Sequence, residues 1–197
     1  MMEDEEMNVK DIFTEMKDIS ELVLDLAYSS VFFDNDEIAE EVHELEERMG
    51  ELNYKIKTIA MLAARTKEDA ENISEILEVA SASEDIANAA GDISNIIKRD
   101  FKIHPVILQA LREAEEKIAR VVIKNNSKLA GLKIRESELA TATGEYIISI
   151  KRGKKRIYNP DKEAVLKEGD ILLVRGTEEG EKLLRKICSG EIDEWRN

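Results

Sequence analysis

No proline stands before residue 105, and the first hundred residues hold just two glycines, Gly50 and Gly91. A chain free of breakers over that length favours long helices. The apolar residues agree. Ile12, Met16, Ile19, Val23 and Leu26 recur at intervals of three and four and form one stripe. Asp34-Asn35-Asp36-Glu37 supplies a turn, an N-cap and acids for the first turn of the next helix. Ile38, Val42, Leu45, Met49, Leu52, Ile56 and Ile59 then alternate at four and three, a near-heptad seam. Thr66 caps a third helix, with Glu68 and Asp69 in its first turn. That helix is apolar on two sides. Ile73, Leu77, Ala80, Ala87 and Gly91 lie on one, and Val79, Ala82, Ile86, Ala89, Ile93 and Ile97 on the other. The pattern predicts an antiparallel three-helix bundle over residues 8–101, with the small-residue third helix the most buried.

The charge divides the chain in the same place as the breakers. Residues 1–100 carry 27 acids and 9 bases, while residues 101–197 carry 16 and 20, within a net charge of −14. Such asymmetry predicts two units of different character. Phe101-Lys102-Ile103-His104-Pro105 marks the boundary, and Pro105 opens a linker helix, so that 102–116 joins the two. From Lys117 the apolar period shortens. Ile118, Val121, Val122 and Ile123 are β-branched and read as a strand. Ser127 is expected to cap a short helix around 129–138. Tyr146–Lys151 and Arg156–Tyr158 form a hairpin with Gly153 at its tip. Gly169-Asp170 turns into a buried strand at Ile171–Arg175, and Glu178–Ile187 is a last helix. The order β-α-β-β-β-α predicts a small α+β unit over 117–189, followed by a polar tail at 190–197 read as a frayed helix.

Several function classes are disfavoured by what the chain lacks. Its one cysteine, Cys188, rules out an internal disulfide framework and reads as a bystander thiol of a reducing cytoplasm. There is no apolar run long enough to span a bilayer, so no direct membrane insertion is expected. The acidic N-terminus does not read as a signal peptide. Lys151-Arg152-Gly153-Lys154-Lys155-Arg156 is basic, but it has no aromatic interleaving and reads as a solvated hairpin edge, so no nucleic-acid partner is expected. His43 and His104 have no partner spacing. No nucleophile–base pair, phosphate loop or zinc signature is visible, so the chain reads as non-enzymatic.

Two resemblances cover nearly the whole chain. The second unit carries Ser127-x-Leu129-x-Gly131, then Leu139, then Gly144-x-x-Ile147-Ile148-x-Ile150-x-Arg152-Gly153, then Asn159-Pro160, then Leu166-x-x-Gly169-Asp170-x-Leu172-Leu173-Val174-x-Gly176. This series resembles the RCK C-terminal, or TrkA C-terminal, domain. The helical unit is similar to the PhoU family, whose Glu-x-x-x-Asp helix motif is matched by Ala82-Ser83-Glu84-Asp85-Ile86-Ala87-Asn88 and Asp92, with Asn88 where the family has aspartate. The first resemblance implies a cytoplasmic, dimeric sensor of a small ligand, working on potassium or another cation transport system. Its partner would be a membrane transporter or channel subunit, which would hold it at the inner face of the membrane. The Gly-x-Gly-x-x-Gly Rossmann half of a full RCK module is absent, so no nicotinamide-dinucleotide site is expected.

By motif position the resemblance implies a site for a cyclic dinucleotide or another small anion at Ile134, Arg135, Tyr146, Ile147 and Pro160. Arg135 would meet phosphate with bidentate hydrogen bonds. In the bundle, Glu84 falls in an apolar stripe with Asn88 and Asp92 at the next turns, and Glu21 and Asp25 offer a second i, i+4 pair. Together these are either ligands for a divalent metal or a satisfied polar patch. The alternative function that follows is a PhoU-like phosphate-signalling or metal-binding protein.

Overall fold

The computed structural model describes residues 7–98, 106 and 117–196. The expected linker helix at 102–116 lies outside the described residues, apart from Val106. The chain separates into two compact units, residues 1–103 and 104–197.

The first unit is a bundle of α1 (Val9–Phe32), α2 (Asp36–Ala63) and α3 (Lys67–Lys98). Each helix starts where the sequence supplies an acceptor. Asn8 Oδ1 accepts from the Asp11 amide and Asn35 Oδ1 from the Ile38 amide. Thr66 and Asp69 satisfy each other reciprocally: the Asp69 amide donates to Thr66 Oγ1, and the Thr66 amide donates to Asp69 Oδ2. The predicted stripe of α1 is fully buried, and so is that of α2 as far as Ile56.

The third helix departs from expectation. It is not the most buried. Its buried side chains are small (Ala80, Ala87, Ala90 and Ser94), while Ile76, Val79, Ile86 and Ile96 are exposed. The reason lies in how α3 meets α2. His43, Glu46, Gly50, Asn53, Lys57 and Ala60 of α2 follow a heptad, and what faces them on α3 is polar or tiny. Ser94 Oγ lies 3.4 Å from His43 Nε2, the Glu46 carboxylate covers Gly91, and Glu84 faces Asn53 and Lys57. Small side chains let the two backbones approach and leave the branched ones at the edge. In addition, α3 has 32 residues against 24 for α1. At about 1.5 Å per residue it outruns α1 by roughly 12 Å, and none of its first thirteen residues is buried.

The second unit is a four-stranded antiparallel sheet with short helices. Its strands are β1 (Lys117–Val122), β2 (Tyr146–Arg152), β3 (Lys155–Tyr158) and β4 (Ile171–Gly176), in spatial order β1-β4-β2-β3. The β2–β4 register shifts between Ile147 and Ser149, a bulge that simple alternation did not predict. Gly153 turns the β2–β3 hairpin at φ +58. The helix expected at 129–138 is instead a turn followed by two short helices, α4 (Ile134–Ser137) and α5 (Leu139–Thr143), broken at Glu138 with φ +51. Ser127 does not cap a helix start. Its Oγ donates to the Ile187 carbonyl at the end of α6 (Glu178–Ser189) and accepts from the Leu129 amide. The tail is not a frayed helix either, because Trp195 is buried in the core beside Leu139, Leu184 and Ile187.

The start of α6 is closely fitted. A Cβ at Gly180 would overlap the Thr143 carbonyl oxygen and crowd Glu145 Oε1. Gly180→Ala is therefore expected to cost the unit about 1–3 kcal/mol in urea unfolding, against the helix-propensity gain alanine would otherwise bring. A neutral or stabilising result would contradict this packing. The next residue, Glu181, bridges Lys117 Nζ and Arg185 Nε at 2.5 and 2.8 Å. Burial works to raise the Glu181 pKa, but the hydrogen bonds from Lys117 and Arg185 outweigh it and hold the carboxyl below the usual glutamate value. Because the folded pKa is the lower one, this contribution is complete above the ordinary value near 4.5 and is lost as pH falls through the depressed one. An acid titration of Lys117→Met is expected to show a shallower loss of stability below pH 4.5 than the wild type.

Cys188 is buried, and loss of solvation pushes its thiol up to about 12. It is therefore expected to resist alkylation by iodoacetamide at pH 8 in the folded protein and to react on unfolding. No helix among the described residues is long and apolar enough to cross a membrane.

Candidate ligand site

Of the residues expected at the ligand site, Ile134 and Arg135 are tied by backbone bonds to the loop that follows Pro160, and Ile147 lies beside a bond at the start of that loop. The Ile134 amide donates to the Ala164 carbonyl and the Arg135 amide to the Lys162 carbonyl, at 2.9 and 3.0 Å. Gly131 and Leu132 bond Leu166 in the same ladder. This ladder stitches the entrance of α4 to the loop that leaves Pro160. At the other end of that loop the Asn159 amide donates to the Ile148 carbonyl, next to Ile147. Ile134 and Ile147 are both half-buried against the same core, and Pro160 is half-buried at the loop start. Tyr146 is 63% exposed at the beginning of β2.

Arg135 is a surface cation already engaged. Its Nη1 lies 2.8 Å from Glu163 Oε1, and the other oxygen of Glu163 takes Lys133 Nζ at 3.0 Å. The Lys133 pKa is raised by that hydrogen bond. Two cations thus share one carboxylate, with the Arg135 side chain 50% exposed. An incoming phosphate would take the place of Glu163 on a guanidinium suited to bidentate binding. Lys133 and Glu163 were not anticipated from the sequence. They stand 30 residues apart in the chain, with two short helices and the β2–β3 hairpin between them, so no local pattern signals the contact.

The basic hairpin is only partly a solvated edge. Arg152 donates from Nε and Nη2 to the two oxygens of Asp170, each at 2.7 Å, and from Nη2 to the Val165 carbonyl. Asp170 is fully buried. Arg156 Nη1 donates to Ser149 Oγ, while Lys154 and Lys155 are exposed. The Gly169-Asp170 pair of the motif is therefore a structural lock for the end of β2.

The metal candidates of the bundle do not come together. Glu21 is exposed and held by Lys17 Nζ at 2.9 Å, and Asp25, Asn88 and Asp92 are exposed. Glu84 accepts from Asn53 Nδ2 and has Lys57 Nζ at 3.9 Å, an amide and an ammonium rather than further anionic ligands. Among the described residues, no three histidine, cysteine or carboxylate side chains converge to hold a metal ion. This donor set does not fit a divalent cation. His43 is half-buried between Glu46, at 3.1 Å, and Ser94.

Comparison with known proteins agrees with both units. The PhoU domain family matches residues 13–97 and the TrkA-C domain family residues 118–189. Probable potassium channel protein 2 of Methanocaldococcus jannaschii is 33% identical over 75 residues, 38% of this chain and 22% of that protein. Potassium channel protein 1 of the same organism is 30% identical over 78 residues, 40% of this chain and 23% of that protein. The chain thus spans less than a quarter of the length of these curated relatives. Among solved structures, the RCK C domain of potassium transport protein KtrA in complex with cyclic diadenosine monophosphate is 31% identical, covering 42% of this chain and 95% of that one, with a TM-score of 0.35. The chain is a PhoU domain followed by a TrkA-C domain.

Proposed function

We propose that this protein is a non-enzymatic regulatory subunit of a potassium or other cation transport system, with a TrkA-C domain that dimerises and binds a small anionic ligand, a cyclic dinucleotide in the first instance. The PhoU bundle would pass the ligand state to a membrane channel or transporter subunit from the cytoplasmic side, as a shift between pre-existing states. The observation that carries the reading is the half-exposed Lys133–Glu163–Arg135 cluster, on a segment tied by backbone bonds to the loop after Pro160. The sequence match of that domain to potassium channel proteins supports the transport context.

The test is calorimetric titration of the full chain with cyclic diadenosine monophosphate, with ATP as control. Arg135→Ala is expected to weaken binding by about tenfold or more, the scale of a lost charge-assisted hydrogen bond. Glu163→Gln is expected to strengthen it, because the competing carboxylate is neutralised. No binding to the wild type, or binding indifferent to Arg135, would refute the site.

A further inference from the structure

The TrkA-C match ends at residue 189, and the seven residues after it do something the family pattern does not describe. Helix α4 is a single turn of four residues, too short to hold itself. It ends at Glu138, whose left-handed backbone breaks the helix, so its last carbonyls need partners from elsewhere. Residues 195 and 196 supply them. Trp195 Nε1 donates to the Ser137 carbonyl at 2.7 Å, and Arg196 Nη1 donates to the Glu136 carbonyl at 3.4 Å. The Arg196 guanidinium also lies 5.3 Å from the centre of the Trp195 ring.

The segment leading to Trp195 is itself anchored. Gly190 closes α6 at φ +77, and the Glu191 and Ile192 amides both donate to the Lys186 carbonyl. Ile192 packs on the core, and Asp193 pairs with Lys128 at 3.1 Å. Trp195 is 9% exposed, a large side chain to bury at the end of a polar tail. The short helix is thus held at its entrance by the loop at 162–164 and at its exit by this segment.

We infer that residues 190–196 form a strap that positions α4, and with it Arg135, for the anionic ligand, with Trp195 as the positioning residue. The ligand part rests on the proposed function; the hold on α4 does not. If the strap sets the geometry of α4, strap docking and ligand binding are linked, and weakening either weakens the other by the same factor.

The chain of 197 residues carries the test, because Trp195 is its single tryptophan. Trp195→Phe keeps a ring in the core and removes the N–H. Amide exchange at residues 134–139 is expected to rise about tenfold in this variant, the scale of one lost hydrogen bond, with β4 amides unchanged. The dissociation constant for cyclic diadenosine monophosphate is expected to rise by a similar factor, and ligand added to the wild type should change Trp195 emission with the affinity found by calorimetry. Exchange unchanged at 134–139, or raised equally in β4, would overturn the strap, the second outcome marking Trp195 as core packing alone. Loosened exchange with unaltered affinity, or saturation without a change in emission, would overturn its link to the ligand. A wild type that binds no ligand would refute the proposed function, and the exchange measurement would still decide the strap.

Discussion

Asp170→Ala is expected to destabilise the TrkA-C unit by about 2–4 kcal/mol, the cost of breaking a buried pair from one side. Asp170 is fully buried and accepts three hydrogen bonds: two from Arg152, and one from the Lys167 amide at 2.8 Å. The largest influence on Arg152 is its hydrogen bond to Asp170, which raises its pKa. Removing the carboxylate orphans the Lys167 amide and leaves a guanidinium without its counter-charge. The Arg152 side chain is 33% exposed, so water recovers part of the loss, and the estimate stays below that for a fully enclosed pair. The consequence reaches the candidate ligand site. Arg152 also holds the Val165 carbonyl, and Leu166, the next residue, pairs with Gly131 and Leu132 at the entrance of α4. Urea unfolding followed by emission of Trp195 isolates this unit, since the bundle contains no tryptophan. In a double-mutant cycle, Arg152→Ala with Asp170→Ala should lose less than the sum of the single changes. A single Asp170→Ala change costing under about 0.5 kcal/mol, the range of an ordinary surface substitution, would remove the lock from the account.

Glu84→Ala is expected to cost the bundle about 1–3 kcal/mol, the penalty for a buried donor left without an acceptor. Asn53 is 1% exposed, and its Nδ2 donates to Glu84; its Oδ1 has no partner among the described residues. Truncating Glu84 therefore strands the amide as well. Replacing both together, as Asn53→Leu with Glu84→Met, removes both polar groups, and the double variant is expected to be at least as stable as either single one. Far-UV circular dichroism in urea, dominated by the long helices, reads the result. The wild type and Glu84→Ala also test the conclusion that Glu84 belongs to a polar pair and not to a metal site. A polar pair predicts a wild type indifferent to magnesium, zinc or iron. A metal ligand predicts stabilisation of the wild type by one of them, absent in Glu84→Ala.

The bundle was legible because helix signals are local. Caps at Asn35 and Thr66 and the stripes from Ile12 and Ile38 act within a turn or two of their own residues, so reading them requires no knowledge of partners. The error at α3 has a clear source. A helix rich in alanine looks buried from its composition, yet small residues face a neighbour without shielding the branched residues beside them. In the second unit the strands and the Gly153 turn were legible for the same local reason. The bulge at Ile148 and the break at Glu138 were not, because neither is marked by a glycine or proline at its own position.

Ile134, Arg135, Tyr146, Ile147 and Pro160 could be named from the motif, while Lys133 and Glu163, which pair around Arg135, could not. Lys133, Glu163 and the tail come together through loops, and loops carry no period. Trp195 shows the limit well: by sequence it belongs to a polar tail read as a frayed helix, and only the closed core shows that it is buried there with Leu139.

The amino-acid sequence alone determined the two units, the presence and apolar stripes of the three long helices, the strand order along the chain and the domain families, since all of these rest on short-range pattern or on motif. The tertiary structure alone decided that Asp170 is the counter-charge of Arg152, that Glu84 answers Asn53, and that Trp195 and Arg196 donate to carbonyls of the short helix that contains Arg135. The physical reason is the same in each case. A buried polar group must find its partner wherever the fold brings one, and that partner has no fixed distance along the chain.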